Sequence, residues 1–109
     1  MSKYNMRKNK YNNITTCIDN ISFKSKKEAA RYCELKLLLK SGKICNLVCQ
    51  PGFELIVNGH KIGKYIADFQ YQIKNGKKIT EDVKGILTTT YRLKKKLMKA
   101  IYGIDIYET

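Results

Sequence analysis

The sequence predicts an α/β domain with a mixed sheet, and three observations carry that prediction. Helical periodicity occurs twice, from about Lys26 to Lys40 and from about Thr89 to Tyr102. Between these segments lie short runs of strand formers, Ile44 to Gln50, Phe53 to Val57, Lys64 to Ile73 and Lys77 to Lys84, punctuated by Pro51-Gly52, Asn58-Gly59 and Asn75-Gly76. The closing stretch Ile104 to Tyr107 alternates in the manner of one last strand. Two helices and a sheet each carry an apolar side that neither can bury alone, so layering is the stable arrangement. A chain of 109 residues has material for one such core.

Taken in order, residues 1–13 are polar and basic without sustained periodicity and read as a flexible arm, leaving 14–109 as a single domain. Thr15 to Phe23 fits two brief strands about an Asp19-Asn20 turn. Ser25 followed three residues later by Glu28 has capping-box spacing and marks the first helix start. Within that helix Ala30, Cys33 and Leu37 share a stripe with Leu38 beside it, an expected core face, while Lys27, Arg31 and Lys36 point outward. Gly42 supplies the left-handed residue that commonly closes a helix. The strands form a meander joined by turns. In the second helix Leu93, Leu97 and Ile101 make the expected apolar line, lysines fill the opposite surface, and Gly103 ends it.

Charge narrows the partners. The chain has 22 Lys and Arg against 9 Asp and Glu, a formal +13. Eleven basic and three acidic residues lie between Lys3 and Lys43, and no acid occurs between Asp82 and Asp105. Blocks of this kind suit a polyanion, nucleic acid first. Lys26, Lys27, Arg31, Arg92, Lys94, Lys95, Lys96 and Lys99 are the candidate phosphate contacts, with Tyr91 either packing or touching a sugar. No apolar run approaches the roughly 18 residues of a membrane span, and the first residues lack the apolar segment of an export signal, so a cytoplasmic protein is expected. Cys17, Cys33, Cys45 and Cys49 have no C-x-x-C pair and read as reduced core residues rather than zinc ligands. His60 follows Asn58-Gly59 and reads as a turn residue, not a general base.

Three acids fall where metal chemistry can be built: Glu28 on the first helix, and Asp68 and Asp82 on strands that the Asn75-Gly76 turn makes hairpin neighbours. Two-residue spacing directs Lys84 to the side of Asp82 and Gln70 to that of Asp68, and alternation turns Glu81 away, toward a salt bridge or a helix contact. Carboxylates hold Mg²⁺ or Mn²⁺ through oxygen, and a nearby lysine can orient water or neutralise a phosphate, which together suit phosphodiester hydrolysis.

The segments F-K-S-K-K-E-A-A-R-Y-C-E-L (Phe23 to Leu35), Y-I-A-D-F (Tyr65 to Phe69), E-D-V-K-G (Glu81 to Gly85) and Y-R-L-K-K-K-L (Tyr91 to Leu97) resemble, in this order, the PD-(D/E)XK nuclease superfamily, and within it a small phage nuclease-like family related to Holliday-junction resolvases. The resemblance covers most of the chain after residue 20. It departs at Ala67, where the motif has proline. It implies a restriction-endonuclease-like αβββαβ core, here with an extra N-terminal hairpin. Asp68 becomes the first catalytic carboxylate, Asp82 and Lys84 the D-x-K element, and Glu28 the helix carboxylate. Glu28, Asp68 and Asp82 would hold one or two Mg²⁺ or Mn²⁺ ions, and Gln70 would reach a bound water or phosphate.

The implied activity is metal-dependent endonucleolytic cleavage of branched or junction DNA in recombination, leaving 5′-phosphate and 3′-hydroxyl ends. A homodimer working in a bacterial host is the implied setting. Each residue also has a structural reading: Glu28 can complete the cap, and Asp68, Asp82 and Lys84 can be ordinary surface charges. A noncatalytic DNA-binding or packaging protein accounts for the charge blocks without requiring the acids to converge.

Overall fold

A computed structural model describes residues 5–8, 14–83 and 87–109. Its contacts group the chain into two compact units, Met1–Ser41 and Gly42–Thr109. The fold class is α/β, with two helices and a mixed sheet.

In the first unit, β1 (Asn5–Lys8), β2 (Ile14–Ile18) and β3 (Ile21–Phe23) form an antiparallel sheet in that order. β1 falls inside the segment expected as a flexible arm; the remainder of 1–13 lies outside the described residues. The hairpin between β2 and β3 closes as anticipated on Asp19 and Asn20, both at positive φ (53° and 63°), the left-handed pair that suits the twist of a two-residue turn. Helix α1 (Lys26–Lys40) begins at Ser25, whose hydroxyl accepts the Glu28 backbone N–H at 3.1 Å, and ends on Ser41 with Gly42 beyond it at φ 78°.

Its core face differs from the expected stripe. Glu28, Ala29, Tyr32 and Leu35 are buried, whereas Ala30 is exposed, Cys33 half-buried and Leu37 69% exposed. Leucines at 35, 37, 38 and 39 surround the helix, so apolar spacing alone does not choose a side. Tyr32 chooses it: the ring lies 5.1 Å from that of Phe23, and the phenol donates to Asp19 Oδ2 at 2.8 Å.

The second unit is built on a sheet ordered β4 (Ile44–Cys49), β7 (Phe69–Ile73), β8 (Lys78–Asp82) and β9 (Tyr107–Glu108), antiparallel except for the parallel pair β8 and β9. The expected continuous strand from Lys64 to Ile73 is instead two strands. β5 (Gly52–Val57) and β6 (His60–Ile66) form a separate hairpin that closes on Asn58-Gly59. The chain leaves the main sheet after β4 and returns before β7, and the crossing points are tied together. Gln50 N–H donates to Asp68 O at 2.9 Å, Ala67 N–H to Pro51 O at 3.0 Å, and Asp68 N–H to Glu81 O at 3.1 Å. Asp68 therefore sits where one ladder ends and another begins.

Helix α2 (Thr89–Tyr102) is capped by the Thr88 hydroxyl, which accepts from Tyr91 N–H at 3.1 Å, and by Gly103 at φ 69°. It packs on β5. Leu55, Tyr65, Ala67, Tyr91, Met98 and Ile106 form the core, with Leu97 and Ile101 half-buried beside them. Leu93, expected on the apolar line, is 55% exposed, because Tyr91 and Met98 take the facing positions. The last strand is Tyr107–Glu108 rather than 104–107, since Ile104 and Ile106 are drawn into the core. All four cysteines are free and none is fully buried, Cys45 being exposed, so the reading of them as core residues is corrected. Among the described residues, no helix is long and apolar enough to cross a membrane.

Candidate functional site

The sequence-predicted acids of the strands meet at one end of β7 and β8. Asp82 is the last residue of β8, and Asp68 immediately precedes β7. The Asp68 carboxylate, through Oδ2, accepts the backbone N–H of Val83 at 2.7 Å. That nitrogen is two bonds from the Asp82 Cα, so Asp68 Oδ2 lies within about 5 Å of it. Both carboxylates are largely withdrawn from water.

The Asp82 carboxylate has a separate donor, the Tyr65 hydroxyl, which bonds its Oδ2. Burial, then the hydrogen bond to Asp82 and the charges of Asp82 and Asp68, raise the Tyr65 phenol well above the ordinary tyrosine value, so it remains a neutral donor. Tyr91 is raised as well, first by burial and then by its bond to Glu108, with Asp82 and Asp68 adding to the effect. Two core phenols thus feel both carboxylates.

Asp82 pairs across the parallel ladder with Glu108, which puts both side chains on one face of the sheet. Glu108 Oε2 accepts from Tyr91 Oη at 2.5 Å and from Lys95 Nζ at 3.1 Å. Glu81 turns to the opposite face, as alternation requires. It is fully buried and accepts from Tyr71 Oη at 2.7 Å and from Thr109 Oγ1 at 3.2 Å.

The remaining predicted residues are distributed as follows. Gln70 donates through Nε2 to Thr80 Oγ1 at 3.0 Å, a cross-strand bond. Lys84 lies outside the described residues. Glu28 belongs to the first unit, where its backbone N–H serves the Ser25 cap and its side chain is buried. Lys26 and Lys27 are exposed at the start of α1, and Arg31 faces Glu34 at 3.7 Å.

On α2, Arg92, Lys96 and Lys99 are exposed, and Lys94 and Lys95 half-exposed. Lys99 is paired with Asp105 at 2.9 Å. Tyr91 is buried and held by Glu108, so its ring serves packing rather than a nucleic-acid surface.

Carboxylates are hard oxygen donors of the kind Mg²⁺ and Mn²⁺ accept, and Mg²⁺ is commonly held by one or two of them together with water and substrate phosphate. The donor pair Asp68 and Asp82 fits such an ion. Among the described residues, no group of three or more His, Cys, Asp or Glu side chains is arranged to hold a metal by protein ligands alone.

Tyr65 and Glu108 were not singled out as site residues from the sequence. Tyr65 was legible as part of Y-I-A-D, but what its hydroxyl reaches depends on how the β5–β6 hairpin folds. Glu108 carried no signal, since its neighbour Asp82 is 26 positions away in the chain.

No curated protein and no solved structure matches the chain. A family model does match, over residues 1–106: the chain belongs to the family described as Protein of unknown function (DUF1064).

Proposed function

We propose that this protein is a metal-dependent endonuclease that hydrolyses phosphodiester bonds of DNA, branched or junction DNA above all, on a restriction-endonuclease-like αβββαβ core. The reading rests on Asp68 and Asp82, two buried acids at the ends of neighbouring strands, the first bonded by the Val83 N–H and the second by the Tyr65 hydroxyl, with the charges of both acting on Tyr65. A divalent cation bound there would offset the like charges of the two acids. The element order is compatible with the proposed core: α1, the antiparallel strands β4, β7 and β8, then α2 and the parallel strand β9, with β5–β6 as an inserted hairpin.

Bound Mg²⁺ or Mn²⁺ supplies charge neutralisation at the phosphoryl group and lowers the pKa of the attacking water. Asp68 and Asp82 would hold the ion. The Val83 N–H orients the first carboxylate and the Tyr65 hydroxyl the second. Lys84, two residues beyond Asp82, orients the water or offsets charge on the phosphate. Water adds at phosphorus, the bond to the 3′ oxygen breaks, and that oxygen takes up a proton, leaving 5′-phosphate and 3′-hydroxyl ends. Arg92, Lys94 and Lys96 on α2 contact the DNA backbone. Paired cuts at a junction require two copies, and the resemblance to phage resolvases implies a homodimer in a bacterial cytoplasm.

Labelled duplex, flap and four-way DNA, incubated with Mg²⁺, Mn²⁺ or chelator, test the reading. Wild type should cut only with metal, and Asp82→Asn, which keeps an acceptor for Tyr65, should bind DNA without cutting. Glu28→Gln tests in the same assay the part that the resemblance implies for the helix carboxylate. DNA binding with no cleavage under any metal or pH condition favours the noncatalytic DNA-binding reading, for which the exposed basic residues of α2 suffice. Molar mass measured with and without DNA decides the dimer.

A further inference from the structure

We infer that Tyr65 is a positioning residue of the proposed metal site, its hydroxyl fixing the Asp82 carboxylate in the orientation that receives the cation. The inference rests on the nuclease reading and adds to it a residue outside the D-x-K element. One donor to Asp68 is a backbone N–H, which no side-chain substitution removes. A donor to Asp82 Oδ2 is the Tyr65 side chain, so what that ring is packed against bears on the orientation of the carboxylate.

Tyr65 is well placed for the task. It is 4% exposed, and its ring has Phe53 at 6.5 Å and Tyr91 at 6.4 Å between centroids, within the core that also holds Leu55 and Met98. Phe53 is in turn met edge-on by Tyr102 at 5.6 Å, and Tyr102 Oη donates to Glu54 O at 2.6 Å, which ties α2 to the hairpin. A ring locked on several sides carries its hydroxyl to a fixed point. Outer partners that orient a liganding group in this way commonly change metal affinity by about 10–100-fold when removed.

Mn²⁺ binding, followed by the loss of the free-ion electron paramagnetic resonance signal, tests the inference in wild type, Asp82→Asn and Tyr65→Phe, with near-ultraviolet circular dichroism as the check on folding. Binding in wild type that is lost in Asp82→Asn and weakened about 10–100-fold in folded Tyr65→Phe supports the positioning role. Wild-type affinity in Tyr65→Phe, together with loss in Asp82→Asn, overturns the inference and leaves the nuclease reading standing. Failure of the wild type to bind Mn²⁺ overturns both.

A second measurement needs no Tyr65 variant to fold. The chain has no tryptophan, so emission from bound Tb³⁺ under ultraviolet excitation must be sensitised by tyrosine. Sensitised emission that is absent in Asp82→Asn and retained in Tyr91→Phe supports the Tyr65 phenol against the site, and Tb³⁺ binding without such emission overturns it.

Discussion

Tyr91→Phe separates two roles that the sequence left open for this residue, core packing and contact with DNA. The substitution keeps the ring among Tyr65, Met98 and Ile106 and removes one hydroxyl, the one bonded to Glu108 at 2.5 Å. A hydrogen bond to a charged group contributes about 1.5–3 kcal/mol. Glu108 retains Lys95 Nζ at 3.1 Å, and its side chain is 31% exposed, so water and lysine replace part of what is lost. The discounted cost is about 1 kcal/mol, which corresponds to a fall in Tm of roughly 4–6 °C for a domain of this size. Tyr91→Ala, which also empties the ring's place in the core, should cost about 3–5 kcal/mol. Urea unfolding gives both values, and DNA affinity measured on the folded variants gives the contrast. Tyr91→Phe should lose stability and keep DNA affinity; unchanged stability with weakened DNA binding would refute the burial argument.

Other consequences follow from the same geometry. The Tyr65 and Tyr91 phenols are raised above the unfolded tyrosine value, so the stability they contribute is fully present below about pH 10 and is lost as pH rises beyond it, because the unfolded chain ionises first. Unfolding free energy should therefore decline above that pH, and more gently in Tyr91→Phe. Arg92→Ala and Lys96→Ala should each weaken DNA binding and reduce the slope of log K against log salt by about 1, a change measurable by fluorescence anisotropy across a salt series. An unchanged slope would remove that residue from the interface. Under native conditions a thiol reagent should label Cys45, which is exposed, ahead of the half-buried Cys17, Cys33 and Cys49, as mass spectrometry of the digested protein can show.

Local chemistry written in consecutive residues was legible without coordinates. The Ser25 cap, the glycine stops at Gly42 and Gly103, and the turns at Asp19-Asn20 and Asn58-Gly59 depend on near neighbours, and α1 begins and both helices end where those residues direct. The approach of Asp68 to Asp82 was partly legible too, because the Asn75-Gly76 turn makes β7 and β8 a hairpin. Faces were harder. Leu37 and Leu93 satisfy helical spacing yet are exposed, because a stripe on one helix acquires meaning only from the rings opposite it, Phe23 for α1 and Tyr65 for α2.

Composition and spacing thus determined the α/β class, the basic surface and the pair of strand carboxylates. Tertiary structure alone decided that the run from Lys64 to Ile73 breaks at Asp68, that the resulting hairpin carries the Tyr65 hydroxyl to Asp82, and that β9 sets Glu108 beside the same residue. The physical reason is range. Caps and turns are satisfied by atoms a few residues away, whereas the surroundings of a buried carboxylate are assembled from segments whose separation along the chain bears no relation to their separation in space.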